Sequence, residues 1–198
     1  KNSWPESAIL YRTNAQSRAL EQALSLNSLP YEVFGGLKFY ERKEIKDLIA
    51  GLRYALNPRD ELSRERLEKT FRKAPARELV LNLPTLAVKL SLLELIGFFL
   101  KTTSYFEFLA AKFENAEDRI ENVTELVNFA STFKTLPEFL ERISLLHPLD
   151  EVNLSAGAPP GKRVKLMTIH LAKGLEFDSV YVVGVAEGLL PHQRSFYS

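Results

Sequence analysis

The sequence predicts an α/β protein in which a parallel sheet, built from both ends of the chain, is interrupted by an all-helical insertion. Three observations carry this. Short β-branched and apolar runs occupy residues 7–12, 31–34, 164–169 and 178–185, the composition of strands buried on both faces. Helical spacing fills the interval between the second and third runs. A glycine- and proline-rich stretch at 156–161 (AGAPPG) supplies a return linker just before strand-like sequence resumes. The expected division is residues 1–57 as the first part of the sheet domain, 58–159 as the helical insertion and 160–198 as the second part.

Residues 7–12 (SAILYR) read as the first strand. Thr13 or Asn14 then offers a side-chain oxygen to cap a helix over 15–26. Tyr11 and Arg12 thereby fall at a strand's C-terminal end, where α/β proteins collect ligands. A planar ring can stack on a base while a guanidinium fork pairs with phosphate oxygens. The same residues also suit a tyrosine packed on the next helix beside a surface arginine.

The second strand, 31–34, runs into Gly35 and Gly36, a pair that permits positive φ and close approach of another backbone. Lys38, Phe39, Tyr40 and Arg42 then interleave charge with aromatic rings, as surfaces for single-stranded nucleic acid do. They equally suit two core rings with cations lying alongside. A helix over 43–56 follows from Ile45, Leu48, Ile49, Leu52 and Leu56, which form one apolar stripe, and Asn57 and Pro58 end it.

Within the insertion, Leu86, Leu90, Leu93 and Ile96 predict one helix, and 105–113, 120–133 and 137–147 predict three more. Phe98, Phe99, Tyr105, Phe106 and Phe108 read as core, with a docking surface for a partner as the other reading. After the strand 164–169 come His170, Lys173, Gly174 and Glu176, then the last strand, 178–185. An imidazole, an ammonium, a flexible glycine and a carboxylate within seven residues can meet phosphate, ribose or a nucleic-acid backbone. They can also form a solvated turn that ends on Gly174.

Composition bounds the function classes. At 198 residues and 45% hydrophobic, the chain buries a sizeable core and should be soluble. No apolar stretch reaches membrane-spanning length, since Lys89, Ser91 and Glu94 interrupt the longest, and the start KNSWPES lacks a secretory pattern. Without cysteine there is no disulfide framework or thiolate metal site, and His147, His170 and His192 are too scattered to argue for a metal. Cations against acids number eight to six in 1–57, 13 to 16 in 58–159 and five to three in 160–198, so the flanks permit nucleic-acid contact without predicting it.

Three stretches, AILYRTNAQSR, GGLKFYERKEIKDLIAGLRYALNP and VKLMTIHLAKGLEFDSVYVVGVAEGLLPH, resemble successive motifs of the UvrD/Rep/PcrA-type superfamily 1 DNA helicases, in that family's order and over about half of the chain. The resemblance implies a partial RecA-like domain, the second of two motor domains, carrying the family's mobile helical subdomain. It implies that Tyr11 stacks on adenine and that Arg12 reaches the γ-phosphate as an arginine finger. Glu176 would contact the ribose side, while His170 and Lys173 would lie near the bound single strand. Gly35, Gly36, Lys38, Phe39 and Arg42 match the segment associated with the DNA-facing side.

By the same resemblance, the parent binds ATP and Mg²⁺ between this domain and the first RecA-like domain, translocates on single-stranded DNA and unwinds duplex. Its place would be the bacterial cytoplasm, in repair or replication restart. No G-x-x-x-x-G-K-[ST] sequence occurs here, and neither does the acidic magnesium-binding motif, so the fragment alone is expected to be inactive. Residues 72–83 lack the glycine-containing turn expected near a duplex-contacting hairpin, which leaves duplex contact by the helical arm open. The other function class is a noncatalytic nucleic-acid or protein-binding module that keeps the fold.

Overall fold

Three separated segments supply the strands of one parallel sheet. The computed structural model describes residues 6–152 and 163–186. From the N-terminal side come β1 (Ser7–Tyr11), α1 (Ser17–Leu26) and β2 (Tyr31–Val33). The helices α2 (Lys43–Leu56), α3 (Glu61–Thr70), α4 (Lys73–Leu86), α5 (Leu92–Thr102), α6 (Tyr105–Lys112), α7 (Ala116–Ala130) and α8 (Leu136–Val152) follow. Then β3 (Val164–Thr168) and β4 (Ser179–Val182) complete a four-stranded sheet in the order β2-β3-β1-β4. The architecture is mixed α/β, with a parallel sheet and eight α-helices among the described residues. None of those helices is long and apolar enough to cross a membrane.

The chain divides into two compact units, one comprising Lys1–Phe39 with Leu146–Ser198 and the other Tyr40–Leu145. In the sheet unit, β3 enters between β1 and β2, with Tyr11 opposite Thr168 and Tyr31 opposite Val164. Parallel pairing requires long crossovers, and this chain supplies them through α1 and through the whole helical segment. Tyr11, Leu24, Tyr31 and Leu166 form a buried cluster, with Ile9, Leu20, Val33, Val164 and Val183 packed around it. All four strands end at the same edge, which gathers Arg12, Gly35, His170 and Gly184 from distant parts of the sequence.

The helical unit is organised on α2, whose bounds match the sequence expectation. Ile45, Leu48 and Leu52 are fully buried, and α2 packs on α3, α4, α5 and α7. Ten of its 14 residues are buried, including Glu44 and Asp47, so it is a central helix and not a one-sided cover for the sheet. The boundaries of this compact unit fall at Tyr40 and Leu145.

The single helix expected over Leu86 to Ile96 is two helices. α4 stops at Leu86, and Ser91 starts α5: its N–H donates to the Glu94 carboxylate at 2.8 Å while its hydroxyl accepts the Glu94 N–H at 3.4 Å. In the aromatic core, the Phe99 and Tyr105 rings pack edge to face at 5.7 Å and Phe71 joins them, whereas Phe106 lies on the surface. The expected linker at 156–161 and the segment from Glu187 through His192 lie outside the described residues.

Candidate functional site

Gln16 fixes the start of the site. Its side-chain oxygen accepts the backbone N–H groups of Arg12 and Thr13 at 2.9 and 3.0 Å, which closes the turn between β1 and α1 with Thr13 as N-cap. Gly184, just beyond β4, has φ of +68°, and a Cβ there would sit 2.1 Å from the Gln16 amide nitrogen. The backbone past β4 thus approaches the same turn closely. Neither Gln16 nor Gly184 was singled out from the sequence: Gln16 bonds within its own turn, and Gly184 meets that turn only because β4 pairs with β1.

Arg12 leaves this turn half-buried, and its Nη1 lies 3.2 Å from His170 Nδ1. His170 is positioned by the adjacent strand. Ile169 N–H donates to the Tyr11 carbonyl at 2.9 Å, and the next turn closes through Leu171 N–H and Ala172 N–H on the Thr168 carbonyl, at 3.0 and 3.2 Å. Arg12 has no acidic partner among the described residues. At the opposite edge of the sheet the charges are matched: the Lys165 ammonium pairs with the Glu6 carboxylate, and Glu6 N–H donates to Asp178 at 2.8 Å.

Lys173 and Glu176 follow His170 on an exposed turn in which Gly174 adopts φ of +82°. Their side chains make no ion pair among the described residues. Gly35 adopts φ of +72° at the end of β2, and a Cβ there would approach Leu171 Cδ1 to 2.9 Å. This glycine therefore lets the turn after β3 settle against the end of β2. Gly36 is exposed, and the Lys38 ammonium lies 5.5 Å from the centre of the Tyr31 ring.

Three predicted site residues occupy other settings. Tyr11 is 1% exposed within the sheet core, so in this conformation its ring offers no face to a base. Phe39 is fully buried, and its N–H donates to both oxygens of the Glu21 carboxylate at 3.1 and 3.0 Å. Arg42 is buried in the helical unit and donates from Nη1 to Asn122 Oδ1 at 2.8 Å. In this conformation Tyr11 and Phe39 are core rings, and Arg42 is held inside the helical unit by Asn122. The edge of the sheet brings together Arg12, His170, Lys173, Glu176, Gly35 and Gly36.

That edge presents the Arg12 guanidinium and the Lys173 ammonium beside the Glu176 carboxylate, which suits an anionic ligand outside the C-terminal ends of parallel strands. Among the described residues no group of three His, Asp or Glu side chains could hold a metal ion.

The model of the UvrD-like helicase C-terminal domain family matches residues 2–107 and 98–198. The chain is 35% identical to the ATP-dependent DNA helicase PcrA of Bacillus subtilis over 244 aligned positions, covering 98% of the chain and 33% of that protein. It is 34% identical to the ATP-dependent DNA helicase UvrD1 of Mycobacterium tuberculosis, with 95% and 32% covered. To DNA helicase II of Haemophilus influenzae it is 33% identical, with 96% and 32% covered. It therefore spans about a third of the length of these relatives. Their aligned stretches of 244, 253 and 236 positions exceed its 198 residues, so each relative carries sequence within this region that the chain lacks.

Proposed function

Because the chain belongs to the UvrD-like helicase C-terminal domain family, we propose that it is the second RecA-like motor domain, with its helical subdomain, of a bacterial ATP-dependent DNA helicase. In this reading the parent translocates on single-stranded DNA and unwinds duplex in the cytoplasm, in the service of DNA repair. The observation that carries it is Arg12, a half-buried guanidinium at the C-terminal edge of a parallel sheet, with no carboxylate to neutralise it among the described residues.

Phosphoryl transfer asks for positive charge where negative charge develops, and an arginine supplied by a second domain contributes about 10³ to 10⁵ in rate. Arg12 is that arginine in the proposal. Glu176 accepts from a ribose hydroxyl, and Lys173 meets a phosphate of the single strand with Gly35, Gly36 and Lys38 alongside. Tyr11, Phe39 and Arg42 support the fold and touch no ligand in this arrangement. When bound, Mg²⁺ would supply charge neutralisation on the ATP phosphates, and in this reading its ligands come from the first motor domain. The segment alone then turns over no ATP.

Single-strand-stimulated ATP hydrolysis by the full-length helicase carrying this segment tests the reading. Arg12→Ala should reduce kcat by about 10³-fold or more while leaving the KM for ATP within a few-fold. A folded wild type that binds DNA and hydrolyses nothing would leave the noncatalytic binding module in its place.

A further inference from the structure

The geometry points to His170 as the positioning residue for Arg12: the neutral imidazole orients the guanidinium without cancelling its charge. This rests on the reading of Arg12 as the phosphate-directed cation. A guanidinium has five N–H donors and no acceptor, so in the 3.2 Å contact His170 Nδ1 must be the acceptor. The ring is then neutral and carries its proton on Nε2.

The choice of partner matters chemically. A carboxylate opposite Arg12 would bind it more tightly but would also offset the positive charge that the phosphate needs. An imidazole nitrogen supplies direction alone. Both ends of the contact are anchored at their main-chain N–H groups: that of Arg12 donates to the Gln16 side-chain oxygen at 2.9 Å, and that of Ile169, next to His170, donates to the Tyr11 carbonyl at 2.9 Å. An arginine side chain carries about 2 kcal/mol of rotamer entropy, so a fixed neighbour reduces the search for the productive conformer. Among the described residues Lys173 and Glu176 also lie beyond the strand ends, and neither forms an ion pair with Arg12.

The test uses the full-length helicase with single-stranded DNA, reading kcat, the KM for ATP and the affinity for the strand. His170→Ala should lower kcat by about ten- to a hundredfold, with KM and strand affinity changed by less than about twofold. His170→Asn, whose Oδ1 is attached to Cγ as Nδ1 is and so restores the acceptor, should recover most of the rate. The double variant Arg12→Ala with His170→Ala should be no slower than Arg12→Ala alone, because a positioning residue has nothing left to position. His170 is exposed, so its variants should keep the wild-type unfolding midpoint. Additive losses in the double variant, or weakened strand binding with normal kcat at saturating DNA, would overturn the inference and assign the ring to the strand. If Arg12→Ala itself leaves kcat intact, the reading of Arg12 fails first and takes this inference with it.

Discussion

Arg66 and Arg119 in the helical unit each meet a buried carboxylate and Arg42 a buried amide tied to one, whereas Arg12 in the sheet unit meets the exposed His170 ring. In the helical unit, Arg119 Nη1 donates to Glu44 Oε2 at 2.5 Å, and Asn122 bridges, giving to Glu44 Oε1 at 2.7 Å and taking from Arg42 at 2.8 Å. Arg66 donates to Asp47 Oδ1 at 2.8 Å from Nε, and the Tyr105 hydroxyl donates to Asp47 Oδ2 at 3.1 Å. Burial, and then the Asp47 charge, hold the Tyr105 phenol far above its ordinary range. The Glu44 and Asp47 side chains are 2% exposed. The difference teaches that residue type does not separate a structural cation from a functional one. The partner does: carboxylates and amides around α2 complete a buried network, while the sheet edge leaves a charge available.

The sharpest way to break that comparison is to remove one acid from the network. Asp47→Ala leaves the partly exposed Arg66 with the Lys43 carbonyl at 3.3 Å and strips the buried Tyr105 phenol of its charged acceptor, a loss of about 3 kcal/mol for a buried group left unpaired. Urea unfolding of this chain should show that loss, whereas Arg12→Ala, which breaks a single contact of a half-buried side chain, should cost less than about 1 kcal/mol. A similar cost for both would erase the distinction between a satisfied and an available arginine.

Packing around α2 gives the next largest effect. A Cβ at Gly51 would lie 2.6 Å from two carbons of the Phe99 ring, which is fully buried among other aromatics. Gly51→Ala should therefore destabilise by about 1–3 kcal/mol, despite the better helix propensity of alanine. An unchanged midpoint would mean that the α2–α5 contact relaxes freely, and the rigid network would lose its support.

Much of this was legible locally. The strands and the helix Lys43–Leu56 follow from residue periodicity, because an apolar run or stripe announces its own burial. The capping box Ser91 to Glu94 was equally local, yet the apolar spacing of Leu86, Leu90 and Leu93 ran straight across it. Arg42 was different: its partner Asn122 lies 80 residues away, so nothing near KFYERK says whether that guanidinium faces DNA or a helix. Arg12 and His170 are 158 residues apart and meet only because β3 enters beside β1. The resemblance put Arg12 on the nucleotide and His170 near the single strand, and their contact required the sheet order.

A smaller effect belongs to the start of α3. Asp60 accepts the Ser63 N–H at 3.0 Å and its hydroxyl at 2.7 Å. Partial burial pushes its carboxyl up, but these bonds and the Arg53 charge outweigh that and hold it below the usual aspartate range. Asp60→Ala should cost about 1 kcal/mol. A carboxyl depressed in the folded state stabilises fully above its unfolded value and loses that contribution as pH falls through its folded value. The wild-type advantage should therefore shrink below about pH 4 and vanish under stronger acid. An advantage independent of pH would assign the cost to helix propensity and not to the charged cap.

Lys173 should show the smallest stability effect and the most selective functional one. It is exposed, and among the described residues its ammonium bonds to nothing. Lys173→Ala should leave the unfolding midpoint within about 0.5 kcal/mol of wild type. If the ammonium meets one strand phosphate in the full-length protein, its loss should weaken single-strand binding across sequences and flatten the slope of log affinity against log salt by about 0.7. Lys165, in the same sheet but paired with Glu6, offers the internal contrast: its charge is already answered, so Lys165→Ala should leave that slope alone. Equal slopes for all three proteins would mean that an unpaired cation at this edge is only a solvated one, and the rule drawn from Arg12 and Arg42 would not extend to lysine.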